Sequence, residues 1–176
     1  ELKGAIDEVN DIYDELSERN VQTQRFVGAD ATERNFRLIT GSANQIIHIA
    51  THCFSITDME NSKFLSQLMA IDTRESAMIG TGFILANANL SWNKSAYYKP
   101  LEDGILLSED ISRLNLNGCD LLVLSGCQSG KGKVDKDGIY GLQRAFKRAG
   151  VKSMLLSLWN VDDNVTIGKG TKIWHF

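Results

Sequence analysis

The chain is short of the features that mark several special classes of protein. Its 176 residues include 3 cysteines and 1 proline, and its net charge is −3. A small, odd number of cysteines argues against a disulfide framework and favours a reducing cytoplasm. No apolar stretch approaches the roughly 20 residues of a membrane span, and no signal peptide is visible. The chain also lacks the excess of basic residues that is typical of nucleic-acid-binding proteins. We therefore expect a cytoplasmic protein with neither nucleic acid nor a membrane as partner.

What is present is the composition of an ordinary globular domain. Apolar residues make up 43% of the chain and charged residues 23%. This length suffices for one domain with a substantial core. Because the chain begins at Glu1 rather than at a methionine, we expect it to be a piece of a longer protein.

Short apolar runs alternate with amphipathic segments along the chain. The predicted strands are 21–26, 45–50, 83–86, 121–125 and 154–158, and the predicted helices are 5–18, a second capped by Asp30 or Thr32 and ending near Ile39, a short one capped by Ser108, and 138–150. Residues 128–137 are too rich in glycine and charge for regular structure. Strands that alternate with helices predict an α/β fold, in which helices cover both faces of a largely parallel sheet.

The residues with the most reactive side chains follow two of these strands. The run LLVLSGCQSG presents Cys127 after a buried strand, and the run QIIHIATHC ends its strand on His52. Ligands bind in open α/β sheets at the carboxyl ends of the strands. An imidazole there can favour the thiolate during attack and then protonate a leaving amine. The sequence therefore predicts a cysteine-nucleophile site.

The other histidine and cysteines have different settings. His48 lies deeper in the strand that leads to His52, and we interpret it as a hydrogen-bonded core histidine that can support the site from behind. Cys119 is predicted to pack in the core, whereas Cys53 is either a bystander or a thiol close enough to Cys127 to oxidise with it. Because no carboxylate or CxxC pair stands at the usual spacing from these residues, we predict no metal and no other cofactor.

The segment SLWNVDDN, after the last predicted strand, leaves two interpretations open. It is either a turn with a helix-capping aspartate, or one wall of a substrate pocket. In the second case Trp159 supplies an apolar face, and Asp162 or Asp163 supplies a carboxylate for a basic side chain.

These segments, in this order, resemble the CHAT domain, a branch of the caspase-like cysteine peptidases that includes separase-type relatives. The matching runs are IIHIATHC, DGILLSEDISRLNLNGCDLLVLSGCQSG and DGIYGLQRAFKRAGVKSMLLSLWNVDDNVT. The resemblance implies a caspase-like three-layer α/β/α fold with a mostly parallel central sheet over residues 1–166. Residues 167–176 do not fit it, and we expect them to be an unassigned, truncated tail.

The resemblance also implies roles for individual residues. His52 and Cys127 would form the catalytic dyad, and the backbone N–H groups of Cys127 and Cys53 would bind the oxyanion. Asp163, or failing it Asp162, would accept the basic side chain at the cleaved position. Cys53 departs from the family pattern, because a glycine usually follows the histidine.

The resulting hypothesis is a bacterial-type cytoplasmic cysteine endopeptidase that cleaves a protein or peptide substrate after a basic residue. The resemblance further implies regulation by a helical repeat domain outside this segment. One alternative is a caspase-like interaction module without activity, for which Cys53 is the best support. Another is a redox sensor that pairs Cys53 with Cys127.

Overall fold

The computed structural model of the protein describes residues 3–42, 45–55, 81–88, 102–125, 134–135, 138–139 and 141–156. The helices are α1 (Lys3–Glu18), α2 (Glu33–Leu38), α3 (Ser108–Ser112) and α4 (Leu142–Ala149), with a 3₁₀ turn at Gly28–Asp30. The strands are β1 (Ile46–Ala50), β2 (Cys53–Ser55), β3 (Thr81–Ile84), β4 (Ile105–Leu107), β5 (Leu121–Ser125), β6 (Val134–Asp135), β7 (Gly138–Ile139) and β8 (Ser153–Leu156).

A parallel sheet in the order β1-β5-β8 forms the centre of the described part of the chain. Its register pairs Ala50 of β1 with Ser125 of β5, and Leu124 of β5 with Leu156 of β8. The middle strand β5 is a continuous apolar run, and its three central residues are at most 5% exposed. Both faces of a parallel strand are covered, which is why β5 lacks the alternation of apolar and polar residues seen in half-exposed strands.

A second, antiparallel sheet has the order β2-β3-β4. Phe83 of β3 lies opposite Cys53 on one side and Leu106 of β4 on the other. Phe83 and Leu106 are both fully buried, so this sheet contributes directly to the main core. β6 and β7 form a separate two-stranded ladder.

One face of the parallel sheet is covered by α3 and α4. The apolar side of α4 was predicted from the spacing of its residues. The four residues on that side are buried, namely Leu142, Ala145, Phe146 and Ala149. With one face of β1 and β5 they form the main core cluster, which includes Ile47, Ile49, Phe83, Leu106, Ile111, Leu122, Leu124, Leu142, Ala145, Phe146 and Ala149.

The opposite face of the sheet is covered by α1. Ile12 and Leu16 of this helix pack against Val123 and Leu121 of β5. Helices therefore lie on both sides of the parallel sheet, and the predicted three-layer α/β/α fold is confirmed. Within the described residues, no helix is long and apolar enough to cross a bilayer.

Gly150 ends α4, as predicted from its position. It is left-handed, with φ of +107°, and a Cβ at this position would lie 2.3 Å from the Asn117 side-chain oxygen. The N–H of Val151 then donates to the Phe146 carbonyl at 3.1 Å, which satisfies a carbonyl of the last helical turn.

One predicted strand is absent, and one predicted helix begins later than expected. Residues 21–26 form no strand, and both Val21 and Phe26 are exposed. β-Branched and aromatic residues such as Val21, Thr23 and Phe26 favour a strand only where another strand is available for pairing. The helix predicted to begin at residue 138 begins at Leu142, because Gly138–Ile139 pairs with Val134–Asp135, inside a stretch predicted to lack regular structure. A ladder of two residues a side is too short to leave a periodic signal in the sequence.

Boundaries and caps also differ in places. β3 begins at Thr81 and ends before Ala86, whose N–H donates to the Ala31 carbonyl outside the sheet. Of the two candidate caps of α2, Thr32 is the correct one, since its hydroxyl accepts from the Asn35 N–H at 3.2 Å. Ser108 is the first helical residue of α3 rather than its cap, and its hydroxyl bonds to that of Thr81.

We expect the substitution Phe146→Ala to lower the free energy of unfolding by about 3–5 kcal/mol, because it leaves a cavity between α4 and the sheet. The Phe146 ring is fully buried and stacks on Phe83 with centroids 6.4 Å apart. Urea unfolding measures the loss, and Gln143→Ala on the exposed side of the same helix is the matched control. Equal midpoints for the two variants would contradict this packing.

Candidate active site

The structure describes part of the predicted site. His52 and Cys53 are described, whereas Cys127, Trp159, Asp162 and Asp163 lie outside the described residues. The site is therefore characterised by the strand ends from which these residues continue.

The carboxyl ends of β1 and β5 lie side by side. Their pairing extends one residue beyond β1, because the Thr51 N–H donates to the Ser125 carbonyl at 3.1 Å. His52 follows directly and is exposed. β8 runs parallel on the other side of β5, with Leu156 beside Leu124. All three strands of the parallel sheet therefore end at one edge, which is where open α/β sheets bind their ligands.

His52 lies at the junction between the two sheets. Its carbonyl accepts from the Ile84 N–H at 2.9 Å, and the hydroxyl of Thr51 donates to the Ile84 carbonyl. β2 begins at the next residue. The backbone on both sides of His52 is thus held by hydrogen bonds while its imidazole faces solvent, an arrangement suited to proton transfer with a bound substrate.

Cys53 occupies the position at which the family usually has a glycine. Its side chain is half-buried and packs against the main core cluster, and its Sγ lies 3.9 Å from the Thr51 carbonyl oxygen. The core therefore accommodates the larger side chain at this position.

Cys119 is a core residue, as predicted. It is 2% exposed, and its Sγ lies 3.4 Å from the Leu121 carbonyl oxygen. Burial raises the pKa of its thiol above the ordinary cysteine value. Because the thiolate is the reactive form, this cysteine is unsuited to nucleophilic chemistry.

His48 is largely buried in β1, as predicted, with 10% of its side chain exposed, and the carboxylate of Glu8 of α1 lies against its ring. Nε2 of His48 lies 3.2 Å from one carboxylate oxygen of Glu8, and the other oxygen accepts from the Ser125 hydroxyl at 2.9 Å. Neither Glu8 nor Ser125 was among the residues expected at this site from the sequence. A signal for Glu8 was present, since it lies four residues before Ile12 on the buried face of an amphipathic helix.

A second buried carboxylate is connected to the His52 segment through backbone hydrogen bonds. Glu33, which is 4% exposed, accepts from the Gly104 N–H at 2.8 Å. Gly104 in turn accepts from the Leu85 N–H at 2.7 Å, next to the Ile84 that holds His52. Gly104 has φ of +77°, and a Cβ there would lie 2.3 Å from the backbone nitrogen of Ala88, so only glycine fits this contact.

The environment of Glu33 favours the protonated acid. Burial is the largest cause that raises the pKa of this carboxyl, and the neighbouring Asp103 raises it further. The Gly104 N–H and the Arg37 guanidinium act in the opposite direction. Elsewhere in the described ranges, no three His, Cys, Asp or Glu side chains are grouped so that they could hold a metal ion.

A comparison with known protein families shows to which family the chain belongs. The family model of the CHAT domain matches residues 1–168. This chain belongs to the CHAT domain family. The predicted family is confirmed, and the parallel sheet covered by helices is consistent with its caspase-like fold.

Two curated proteins are similar to part of this CHAT domain. They are tetratricopeptide repeat protein 28 of Mus musculus and of Homo sapiens, each 40% identical over 62 residues, or 35% of this chain. The matched segment spans only 2% of the length of each relative. No solved structure matches the chain.

We expect the Glu33 carboxyl to make stability fall as the pH rises. Between the ordinary pKa of 4.5 and its raised value, the folded chain keeps a proton that the unfolded chain has released, so the free energy of unfolding decreases across this window. Glu33→Gln imitates the protonated acid and removes this loss.

The measurement is urea unfolding of the chain and of Glu33→Gln at a series of pH values from 4 upward. As the pH rises, the free energy of unfolding of Glu33→Gln should increase relative to that of the unchanged chain. Glu18→Gln, at the exposed end of α1, is the control for replacing a carboxyl on the surface. A pH-independent difference between the chain and Glu33→Gln would contradict the raised pKa.

Proposed function

We propose that this CHAT domain is a cysteine endopeptidase in which Cys127 is the nucleophile and His52 the acid–base group. The observation that carries the proposal is the parallel pairing of β1 with β5. Ala50 lies opposite Ser125, and the two proposed groups each follow two residues later in the sequence.

This register supports a meeting of the two side chains at the edge of the sheet. Adjacent strands lie about 4.8 Å apart, and two further residues extend a chain by at most about 7 Å. These distances allow the two side chains to meet across one peptide bond of a substrate. Cys119, by contrast, is buried at the other end of the same strand, before Leu121.

The proposed chemistry is acyl transfer. The Cys127 thiol gives its proton to His52, and its sulfur attacks the peptide carbonyl carbon. The tetrahedral oxyanion collapses to a thioester as the C–N bond breaks and His52 protonates the leaving amine. Water then gives a proton to His52 as its oxygen attacks the thioester carbon. The C–S bond breaks, the carboxylic acid leaves, and His52 returns that proton to the sulfur. Backbone N–H groups of Cys127 and Cys53 are the proposed oxyanion donors, and such donors contribute about 3–4 kcal/mol each in related chemistry.

Cleavage after a basic residue is the proposed specificity. β8 neighbours β5 and ends at the same edge, and Trp159, Asp162 and Asp163 follow within seven residues of Leu156. A desolvated carboxylate that faces a guanidinium makes paired, charge-assisted hydrogen bonds. We propose Asp163 as the principal partner of the substrate, Asp162 as the second choice, and Trp159 as an apolar wall.

A helical repeat domain is the proposed regulatory partner. The two curated relatives are named for tetratricopeptide repeats, which supports association of this kind of domain with such repeats. A thiol nucleophile also works best in a reducing compartment, so we propose a cytoplasmic location.

The alternative proposal is an interaction module that keeps the fold without cleaving. It is favoured by Cys53, because a side chain in place of the usual glycine restricts the backbone next to the proposed oxyanion site.

A peptide probe with a cysteine-reactive group and a basic residue at the cleaved position distinguishes the two functions. We expect it to label Cys127 covalently, because the neighbouring imidazole generates the thiolate. Labelling followed by peptide mapping should be lost in Cys127→Ala and should slow at least about a hundredfold in His52→Ala.

Cys119→Ala is the matched control and should be labelled at the rate of the unchanged chain. Absence of labelling in a folded chain, together with no cleavage of a peptide library, would favour the interaction module. Loss of two free thiols under mild peroxide, reversed by a reductant, would instead indicate pairing of Cys53 with Cys127.

The specificity proposal is tested by Asp163→Ala. We expect kcat/KM for cleavage after arginine or lysine to fall about a hundredfold, since the basic side chain of the substrate then loses the carboxylate that pairs with its charge. The free energy of unfolding should change little. Asp162→Ala is the neighbouring control and should have the smaller effect. Equal turnover of basic peptides by Asp163→Ala would overturn the assignment.

A further inference from the structure

A buried carboxylate lies beneath the proposed catalytic edge. Glu8 of α1 is 4% exposed, and both of its oxygens are engaged. One lies 3.2 Å from Nε2 of His48 in β1, and the other accepts from the Ser125 hydroxyl of β5 at 2.9 Å. A single side chain therefore joins α1 to the two central strands.

Apolar contacts join the same helix to the same strand. α1 packs on β5 through Ile12 and Leu16 against Val123 and Leu121. A glutamate is rarely this buried unless it is paired, and an apolar side chain of similar size would pack here without the cost of removing a carboxylate from water. A directional bond such as the one that Glu8 accepts from Ser125 fixes a geometry more tightly than apolar contacts do.

The order in which Ser125, Glu8 and His48 contact one another excludes a second hydrolytic site of the serine type. In a Ser-His-acid triad the imidazole lies between the hydroxyl and the carboxylate and takes the hydroxyl proton. Here the Glu8 carboxylate lies in the middle and accepts from Ser125 directly. The arrangement orients its members and generates no nucleophile.

The cluster of Glu8, His48 and Ser125 lies close to the ends of β1 and β5. Ser125 is the last residue of β5, and its carbonyl accepts from the N–H of Thr51. His48 lies in β1, four residues before His52, and Cys127 comes two residues after Ser125. The carboxylate thus contacts both strands just before the proposed dyad residues.

We propose that Glu8 is a positioning residue, which fixes the ends of β1 and β5 relative to each other through the Ser125 hydroxyl and the His48 imidazole. Its catalytic consequence, alignment of Cys127 with His52, rests on the proposed function. Loss of the cluster should therefore slow the chemical step and leave binding of the probe nearly unchanged.

The principal variant is Ser125→Ala, which removes one oxygen atom and leaves the strand intact. With the cysteine-reactive probe, we expect the maximal labelling rate to fall about tenfold while the concentration for half-maximal rate stays within about threefold, as for loss of alignment without loss of binding. Ser125→Thr keeps the hydroxyl and should label within about threefold of the unchanged chain. Glu15→Gln, on the same helix and paired with Arg19, is the control for charge removal.

A double-mutant cycle tests whether the two residues act through each other. Glu8→Gln should slow labelling in the same way, and the pair Glu8→Gln with Ser125→Ala should be no slower than the worse single variant. Independent, multiplying effects, or a rate unchanged in both single variants, would overturn the proposal.

A second measurement does not depend on peptidase activity. Amide hydrogen exchange at Thr51 reports its bond to the Ser125 carbonyl. We expect exchange to accelerate about tenfold in Glu8→Gln and Ser125→Ala, again without additivity, and to stay unchanged in Ser125→Thr and Glu15→Gln. Coupled acceleration in a chain that the probe does not label would refute the peptidase and support the structural part of the proposal. Unchanged exchange at Thr51 would refute the positioning role even if labelling is normal.

Discussion

The parallel pairing of β1 with β5 is the constraint on which the rest of the structure depends. Its register places Ala50 beside Ser125, and so it decides which residues leave the sheet next to one another. A slip of one residue would turn every side chain to the opposite face. The main core would then lose Leu122 and Leu124, and the polar cluster on the other face would lose Ser125.

The two faces of this sheet are built differently. The face toward α3 and α4 presents apolar side chains that pack closely with Phe146. The face toward α1 combines the apolar contacts of Ile12 with a buried carboxylate, that of Glu8. Apolar contact supplies most of the stability on the first face. On the second face, the bond that Glu8 accepts from Ser125 and its contact with His48 specify the position of the helix.

Buried glutamates stabilise the backbone around His52 from two sides. Glu8 connects α1 to the parallel sheet, and Glu33 connects α2 to Gly104 at the start of β4. Neither contacts His52 directly. Glu8 bonds to Ser125, whose carbonyl accepts from the N–H of Thr51 beside His52. Glu33 bonds to Gly104, which accepts from Leu85, and the neighbouring Ile84 donates to the His52 carbonyl. A histidine that faces solvent is thereby carried on a rigid backbone, which is what orientation of a proton-transfer group requires.

The sequence by itself determined the fold class, the family, the apolar faces of α1 and α4 and the strand β5, because these follow from local periodicity and from continuous motifs. It also indicated that His48 and Cys119 are buried. Only the tertiary structure decided the partners: that β5 lies between β1 and β8, that residues 21–26 find no strand to pair with, and that Glu8 reaches Ser125 across 117 positions of the chain. The physical reason is that burial leaves a pattern in neighbouring residues, whereas hydrogen bonds between distant polar groups depend on packing geometry that no short segment encodes.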